Sequence, residues 1–116
     1  MATLNLRVEF GERGALGPGK ARLLELIAEH GSIAAAGRAM GMSYRRAWDL
    51  IDELNHCFGK PVVTTQMGGQ RGGGAVLTPL GQAVIDHFRA IEGNAAKAAA
   101  SHLKALQLAM KRRSSG

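Results

Sequence analysis

The sequence predicts a mainly α-helical domain with a small β-hairpin, arranged as a winged helix-turn-helix. Two helical segments meet at a tight turn that contains Gly41. A β-branched strand and a glycine-rich loop follow them, and a long helix with one apolar stripe comes last. The predicted order is therefore an N-terminal strand, a helix, a helix-turn-helix pair, a hairpin and a long C-terminal helix.

The composition fits one small folded domain with a polyanionic partner. Its 116 residues are 46% hydrophobic and 21% charged, which is usual for a globular chain. The 15 Lys and Arg exceed the 9 Asp and Glu and leave a net charge of +6, which favours a nucleic-acid partner. The single cysteine, Cys57, excludes an internal disulfide and a cysteine-based zinc framework. No signal peptide or long apolar run is visible, so no membrane partner is expected.

The first third of the chain predicts a strand, a loop and a helix. Residues 4–10 alternate strictly between apolar and polar side chains, which is typical of a half-buried strand. Residues 11–19 hold four glycines and Pro18, so we expect a loop there. A helix is predicted over residues 20–30, because apolar residues recur at helical spacing and Gly31 follows as a C-terminal glycine.

The helix-turn-helix is predicted over about residues 32–58. Ser32 can cap a short helix over 33–40, and Ser43 can cap a longer helix over 44–58. Two such helices must cross closely, and the short helix carries alanine and glycine in its middle, where the crossing requires small residues.

Two arginines, Arg45 and Arg46, occupy the first turn of the third helix. The helix dipole places partial positive charge at that end, so local stability does not favour them. A role as a recognition helix would explain these arginines, because the N-terminal residues of such a helix enter the DNA major groove, where arginine can bind guanine. Ser43 and Tyr44 are candidates for phosphate or base-edge contacts beside them. The alternative is a solvated charged face in which one arginine pairs with Asp49.

Other side chains of the helix pair also bear on DNA contact. Ser32, at the start of the short helix, is a further DNA-binding candidate. Trp48 lies at the boundary between the core and the recognition face, and packing is favoured over DNA contact. The acidic residues Asp49, Asp52 and Glu53 are expected to face solvent. They would repel DNA if they were turned toward it, so we expect only the front of this helix to enter the groove.

The wing is predicted over residues 61–78, as strands at 61–66 and 75–78 joined by a loop with five glycines. A phosphate-binding loop is excluded, because no GxxxxGKS or GxxxxGKT motif is present and the loop leads into a strand. Gln70 and Arg71 in the loop offer hydrogen bonds to phosphate or to the minor groove. An ordinary mobile hairpin loop is the alternative.

A long helix is predicted over residues 79–111, after the DNA-binding domain formed by residues 1–78. Its apolar residues recur every three or four positions, Gly93-Asn94 is a weak point, and residues 112–116 are expected to form a flexible tail. One small domain cannot cover so long a stripe, which predicts a homodimer. The predicted dimer contacts are Leu80, Val84, Phe88, Ile91, Leu103 and Leu106.

Catalysis has little support in the sequence. The four histidines show no paired metal spacing. His56 and Cys57 are adjacent on one helix, where neighbouring side chains diverge by about 100°, so they form no catalytic dyad. We expect a buried thiol at Cys57, and no catalytic residue, metal or cofactor.

Residues 31–55, GSIAAAGRAMGMSYRRAWDLIDELN, resemble the N-terminal DNA-binding domain of the molybdate-responsive ModE-type transcriptional regulators, as do residues 68–78, GGQRGGGAVLT, with Gly81. The similarity to LysR-type DNA-binding domains is more distant. The discriminating parts are the Ser-Tyr-basic-x-Ala-Trp run and the glycine-rich wing that ends in Ala-Val-Leu-Thr. The resemblance covers roughly residues 5–110.

This resemblance implies a homodimeric bacterial or archaeal transcription factor. Its recognition helix would begin at Ser43-Tyr44-Arg45-Arg46, its wing would be 66–74, and its last helix would join the dimer. Such a protein would bind an inverted repeat in double-stranded DNA and be cytoplasmic and nucleoid-associated. A winged-helix module that binds protein instead of specific DNA is the alternative.

The sequence departs from the full ModE-type pattern at its C-terminal end. Full-length members carry C-terminal molybdate-binding domains, whereas this sequence stops at Gly116. We therefore expect no molybdate site in this chain. Its start and tail favour a standalone regulator over an excised domain.

Overall fold

A computed structural model describes residues 2–66 and 74–114. Four helices and two small antiparallel hairpins make up the described chain, with a short 3-10 turn at Gly11–Arg13. In chain order they are β1 (Val8–Glu9), β2 (Ala15–Leu16), α1 (Pro18–His30), α2 (Ile33–Ala39), α3 (Tyr44–Phe58), β3 (Val63–Gln66), β4 (Gly74–Leu77) and α4 (Pro79–Ser114). The predicted winged helix-turn-helix is confirmed.

The core lies between α1, α2, α3, the first third of α4 and the wing. Apolar side chains at helical spacing on the helices turn inward, so burial of their surface holds these elements together. The largest completely buried side chains are Leu23, Leu24, Ile27, Ile51, Leu54, Val62 and Phe88.

The N-terminal strand is much shorter than the predicted 4–10. Only Val8 and Glu9 are in strand conformation, and they pair with Leu16 and Ala15 across a turn. Gly11 allows that turn, because its φ of 64° is one that other residues rarely adopt. A strand needs a hydrogen-bonding partner, and β2 has only two residues, so alternation alone does not extend β1 toward residue 4. The expected loop at 11–19 was therefore wrong in part, since it contains β2 and the start of α1.

The boundaries of the helix-turn-helix agree closely with the prediction. The longer helix, α3, covers 44–58 as expected, and α2 ends at Ala39, one residue early. Ser32 caps α2 and Ser43 caps α3, in each case by accepting a backbone hydrogen bond. The glycine predicted to end α1, Gly31, has left-handed backbone angles.

The two strands of the wing pair in antiparallel register from Val63 opposite Leu77 to Gln66 opposite Gly74. Thr78 holds the end of the wing that lies opposite its loop. Its amide donates to the carbonyl of Val62 at 3.0 Å, and its hydroxyl donates to the carbonyl of Pro61 at 2.8 Å. The same hydroxyl oxygen accepts the amide of Gly81, so it also caps α4.

The last helix, α4, is continuous from Pro79 to Ser114 and does not break at Gly93-Asn94. A helical glycine costs about 1 kcal/mol relative to alanine, which a long helix tolerates. The helix runs through part of the predicted tail at 112–116, of which residues 115–116 lie outside the described residues. No helix in the described parts of the chain is long and apolar enough to cross a membrane.

Candidate nucleic-acid interface

The two helices of the helix-turn-helix cross where Gly37 faces Ala47. A Cβ atom at Gly37 would lie 3.3 Å from the Cβ of Ala47 and 3.4 Å from the carbonyl oxygen of Met42. The chain turns at Gly41, whose φ is 69°. The amide of Met42 then donates to the carbonyl of Gly37 at 2.9 Å, which closes the turn. The glycine and alanine therefore hold the first turn of α3 at a fixed position against α2.

The first turn of α3 presents a row of exposed polar side chains. Ser43, Tyr44, Arg45 and Arg46 are all exposed, and Tyr44 is the most exposed large aromatic side chain at 56%. The hydroxyl oxygen of Ser43 accepts the amide of Arg46 at 3.0 Å, which satisfies one of the free amides of the turn. Two exposed arginine side chains thus lie at a capped helix end.

The alternative pairing of these arginines with Asp49 does not form. None of the ion pairs among the described residues involves Arg45, Arg46 or Asp49. Both side chains are therefore exposed and have no carboxylate partner in the described chain. An arginine in this state can bind a base edge or a phosphate without first breaking an internal ion pair.

Trp48 is partly buried and packs against the core, in agreement with the favoured interpretation. Its ring also meets that of Tyr44 edge-on, with centroids 6.4 Å apart. The aromatic pair links the core to the exposed start of α3. Tyr44 is therefore oriented by a packed neighbour while most of its own side chain stays accessible.

The loop end of β4 is joined to the residue that precedes the cap of α2. The amide of Ala75 donates to the carbonyl of Gly31 at 2.9 Å, next to the capping residue Ser32. Sequence reasoning missed this contact, because a backbone hydrogen bond between distant residues leaves no side-chain signal. Gln70 and Arg71, the predicted wing contacts, lie outside the described residues.

Beyond its first turn, α3 carries acidic side chains that line a cleft of mixed charge. Asp52 and Glu53 are exposed, as expected. Glu53 pairs with Lys20 at 3.0 Å, and Arg7 and Arg13 line the same cleft. Arg7 lies 3.6 Å from Glu9, and Glu12 and Asp52 also line this cleft, so cations and carboxylates alternate there.

The predicted dimer residues divide into two groups along α4. Phe88 is completely buried and Val84 nearly so, because the first third of α4 covers the chain's own core. The sequence-based argument that one domain could not cover the apolar stripe therefore does not apply to these two residues. Ile91 and Leu106 are exposed at 44% and 63%. Leu80 packs against the core and Leu103 is half-buried.

An ion-pair network joins α1 to α4, and the sequence does not predict it. Arg89 donates through Nε and through its second terminal nitrogen to the two carboxylate oxygens of Glu25, at 3.1 and 2.9 Å. Its remaining nitrogen donates to Glu92 at 2.7 Å, and Arg22 lies 3.6 Å from Glu25. The hydrogen bonds from Arg89 lower the pKa of Glu25, and the two carboxylates raise the pKa of Arg89.

No group of three or more His, Cys, Asp or Glu side chains within residues 2–66 and 74–114 could hold a metal ion. Cys57 is a buried free thiol, as expected.

The family model described as the bacterial regulatory helix-turn-helix proteins of the lysR family matches residues 19–82. Two curated relatives are the molybdenum-pterin-binding protein MopB of Rhodobacter capsulatus and the DNA-binding transcriptional dual regulator ModE of Escherichia coli K12. They are 45% and 38% identical to this chain over 80% and 75% of its length. The matches cover 34% and 33% of those proteins, so the chain spans about a third of the length of these relatives.

A solved structure supports the fold. The DNA-binding domain of CbnR, crystallised with DNA, superposes with a TM-score of 0.58 at 22% identity, over 76% of this chain and 95% of that one. The matched family region covers the helix-turn-helix, the described strands of the wing and the capped start of α4. The chain therefore belongs to the lysR family of bacterial regulatory helix-turn-helix proteins.

Proposed function

We propose that this chain binds an inverted-repeat DNA operator as a homodimer, with the first turn of α3 in the major groove. The observation that carries the proposal is the exposed pair Arg45 and Arg46, neither of which has an ion-pair partner in the described chain. Arginine at this end of a recognition helix suits the O6 and N7 acceptors of guanine. Ser43 and Tyr44 would contact phosphate or base edges beside them, and Ser32 a phosphate at the start of α2.

The wing would add contacts on the flank of the same site. The amide of Ala75, near the loop end of β4, donates to the carbonyl of Gly31, so this contact fixes the position of the wing relative to the start of α2. The proposal assigns Gln70 and Arg71 to phosphate or minor-groove contacts, on their residue types and their place between β3 and β4. The cytoplasm, on nucleoid DNA, is the location that this function requires.

The homodimer is supported by the exposed apolar side chains on the distal part of α4. Ile91, Leu106 and Met110 are exposed at 44%, 63% and 70%, and at helical spacing they fall within about 100° of one another. An isolated surface helix seldom keeps large apolar side chains aligned in water. A second copy would cover this face by packing its own α4 against it, and Leu103 lies beside the same face.

We infer that the chain carries no molybdate site of its own, although one relative is named a molybdenum-pterin-binding protein and another is named a ModE regulator. An oxyanion site needs several donors that converge in a shielded pocket. The cavity of about 260 Å³ beside α4 is lined by apolar side chains apart from His87. The larger cleft beside α3 is open and places carboxylates, among them Asp52 and Glu53, next to its cations, which disfavours an anion there. Buried polar side chains are absent from the described residues.

Selection of bound sequences from a random DNA library tests the proposed function. The expected product is an inverted repeat whose half-sites lie about one helical turn, 34–36 Å, apart. Affinity for it should fall steeply with added salt, because lysine and arginine displace counterions from phosphate. A library without enrichment, together with capture of a protein partner by the same surface, would favour the protein-interaction module instead.

A further inference from the structure

The last firm attachment of α4 to the rest of the chain is at Arg89. Phe88 is completely buried, and Arg89 makes its two hydrogen bonds to Glu25 on α1. Beyond this point α4 has no buried side chain up to Met110, and Ala90, Ile91 and Gly93 are exposed. Arg89 therefore lies at the pivot where the helix leaves the DNA-binding body.

One more hydrogen bond reaches the distal part of α4 from another part of the described chain. The amide of Ala2 donates to the side-chain oxygen of Gln107 at 3.0 Å. Residues 2–7 have no regular secondary structure, so this contact does not brace the helix against the body. The angle of the distal helix must be set at the pivot.

The contact between Arg89 and Glu25 restricts the relative orientation of the two side chains as well as their distance. A guanidinium that donates two parallel hydrogen bonds to one carboxylate fixes both the distance and the plane of the pair. Glu25 is on α1 and Arg89 is on α4, so the pair fixes the rotation of one helix relative to the other. The bond from Arg89 to Glu92 lies within α4 and has no effect on that angle.

A small rotation at the pivot has a large effect at the end of the helix. From Arg89 to Met110 the helix extends about 32 Å at 1.5 Å per residue. A tilt of about 10° displaces its end by about 5–6 Å, which is about one and a half base pairs at a rise of 3.4 Å. If the distal helices are held together in a dimer, the same tilt displaces the DNA-binding body.

We propose that Arg89 is a positioning residue that, through Glu25, sets the spacing between the two half-sites that the dimer accepts. This inference rests on the proposed dimeric function. A spacing that does not match the dimer must be absorbed by deforming the DNA or by tilting the protein. A rigid pivot makes the tilt costly and the choice of spacing sharp, whereas a loosened pivot permits several spacings.

The test uses operators whose two half-sites are separated by spacers that vary one base pair at a time. Wild type should show one preferred spacing and bind those one or two base pairs away at least about fivefold more weakly, a difference of about 1 kcal/mol. Arg89→Met keeps a long unbranched side chain but lacks the guanidinium group. It should reduce the preference for one spacing over its neighbours to about twofold or less. Glu25→Gln should give the same loss, and the double variant should be no worse than either one, because both remove one interaction.

The matched control is Glu92→Gln, which removes the charge of the partner of Arg89 within α4. It should retain the wild-type spacing profile. A loss of preference as large as that of Arg89→Met would overturn the assignment to the contact between helices. A wild-type profile in Arg89→Met or Glu25→Gln, in folded dimers that still bind the operator, would overturn the proposal. Failure of wild type itself to dimerise or bind an inverted repeat would instead refute the proposed function.

A second measurement tests the pivot without DNA. Spin labels at Ala28 on α1 and Lys104 on distal α4, both exposed, report the angle between the helices in a Cys57→Ala background. Labelled chain diluted with unlabelled chain restricts the signal to one protomer. Arg89→Met should broaden the distance distribution and Glu92→Gln should not. Equal widths in wild type and Arg89→Met would overturn the proposal whatever the outcome on DNA.

Discussion

Gly81, in the first turn of α4, lies directly against the backbone carbonyl of Val62 at the start of the wing. A Cβ atom at Gly81 would overlap the carbonyl oxygen of Val62, and the backbone there cannot move away easily because that oxygen accepts the amide of Thr78. The contact joins the wing to the helix that carries the proposed dimer surface.

Gly81→Ala is therefore expected to destabilise the chain, although alanine is the better helix former. Overpacking costs typically about 1–3 kcal/mol, which exceeds the gain of about 1 kcal/mol in helix propensity. The matched control is Gly93→Ala in the same helix, where a Cβ would meet nothing within 4 Å. It should raise the free energy of unfolding by about 0.5–1 kcal/mol. Urea unfolding measures both, and changes of the same sign would contradict the packing account.

Loss of either arginine at the start of α3 is expected to weaken specific binding. Arg45→Ala or Arg46→Ala should cost about 1–3 kcal/mol of operator affinity where that arginine makes a bidentate guanine contact, with unfolding unchanged. Arg71→Ala should weaken binding evenly across sequences and reduce the salt slope by about one. The control is Lys97→Ala, which removes one charge from exposed α4. Fluorescence anisotropy gives the affinities, and full affinity in both α3 variants would rule out the recognition helix.

The dimer prediction is tested by two leucines on opposite sides of distal α4. Leu106 and Leu108 are exposed at 63% and 51%, and they are separated by about 200° around the helix. Leu106→Asp should give monomers with much weaker operator binding, because it places a charge in the proposed interface. Leu108→Asp should stay dimeric. Light scattering measures both, and a wild-type monomer at micromolar concentration would disprove the dimer.

The stabilising effect of Glu25 is expected to depend on pH. Hydrogen bonds from Arg89 lower its pKa below the ordinary 4.5, against an opposing effect of burial. A carboxyl group whose pKa is lower in the folded state stabilises that state above its unfolded pKa, and the effect disappears as pH falls through the folded pKa. The difference in free energy of unfolding between wild type and Glu25→Gln should therefore shrink from about pH 6 to about pH 3.

The control for this pH dependence is Glu29→Gln on the same helix, since Glu29 makes no ion pair among the described residues. The difference in free energy of unfolding between wild type and Glu29→Gln should stay small across the same pH range. A Glu25→Gln difference that did not shrink on acidification would contradict the assigned role of the ion pair.

Molybdate and tungstate are expected to leave DNA affinity and melting temperature unchanged. A ligand at 100 times its Kd would add about 2.7 kcal/mol to stability, which a melting curve detects readily. Calorimetric titration measures binding directly. Micromolar binding to this chain would show that it holds an oxyanion site.

The sequence by itself determined the helix-turn-helix and the strands of its wing. Capping by Ser32 and Ser43 and termination by Gly31 act over three or four residues, so the signal and the structure lie close together in the chain. The exposed position of Arg45 and Arg46 follows from the same local rule, since residues in the first turn of a capped helix have a fixed place relative to its buried face.

Tertiary structure decided what covers each apolar or charged group. Alternation over residues 4–10 did not reveal that only Val8 and Glu9 have a partner strand. Periodicity along α4 aligned Phe88 with Leu106 but could not show that Phe88 is buried in its own chain while Leu106 is exposed. The bond between Arg89 and Glu25 joins residues 64 positions apart. Such contacts depend on how the helices pack, which local sequence patterns do not encode.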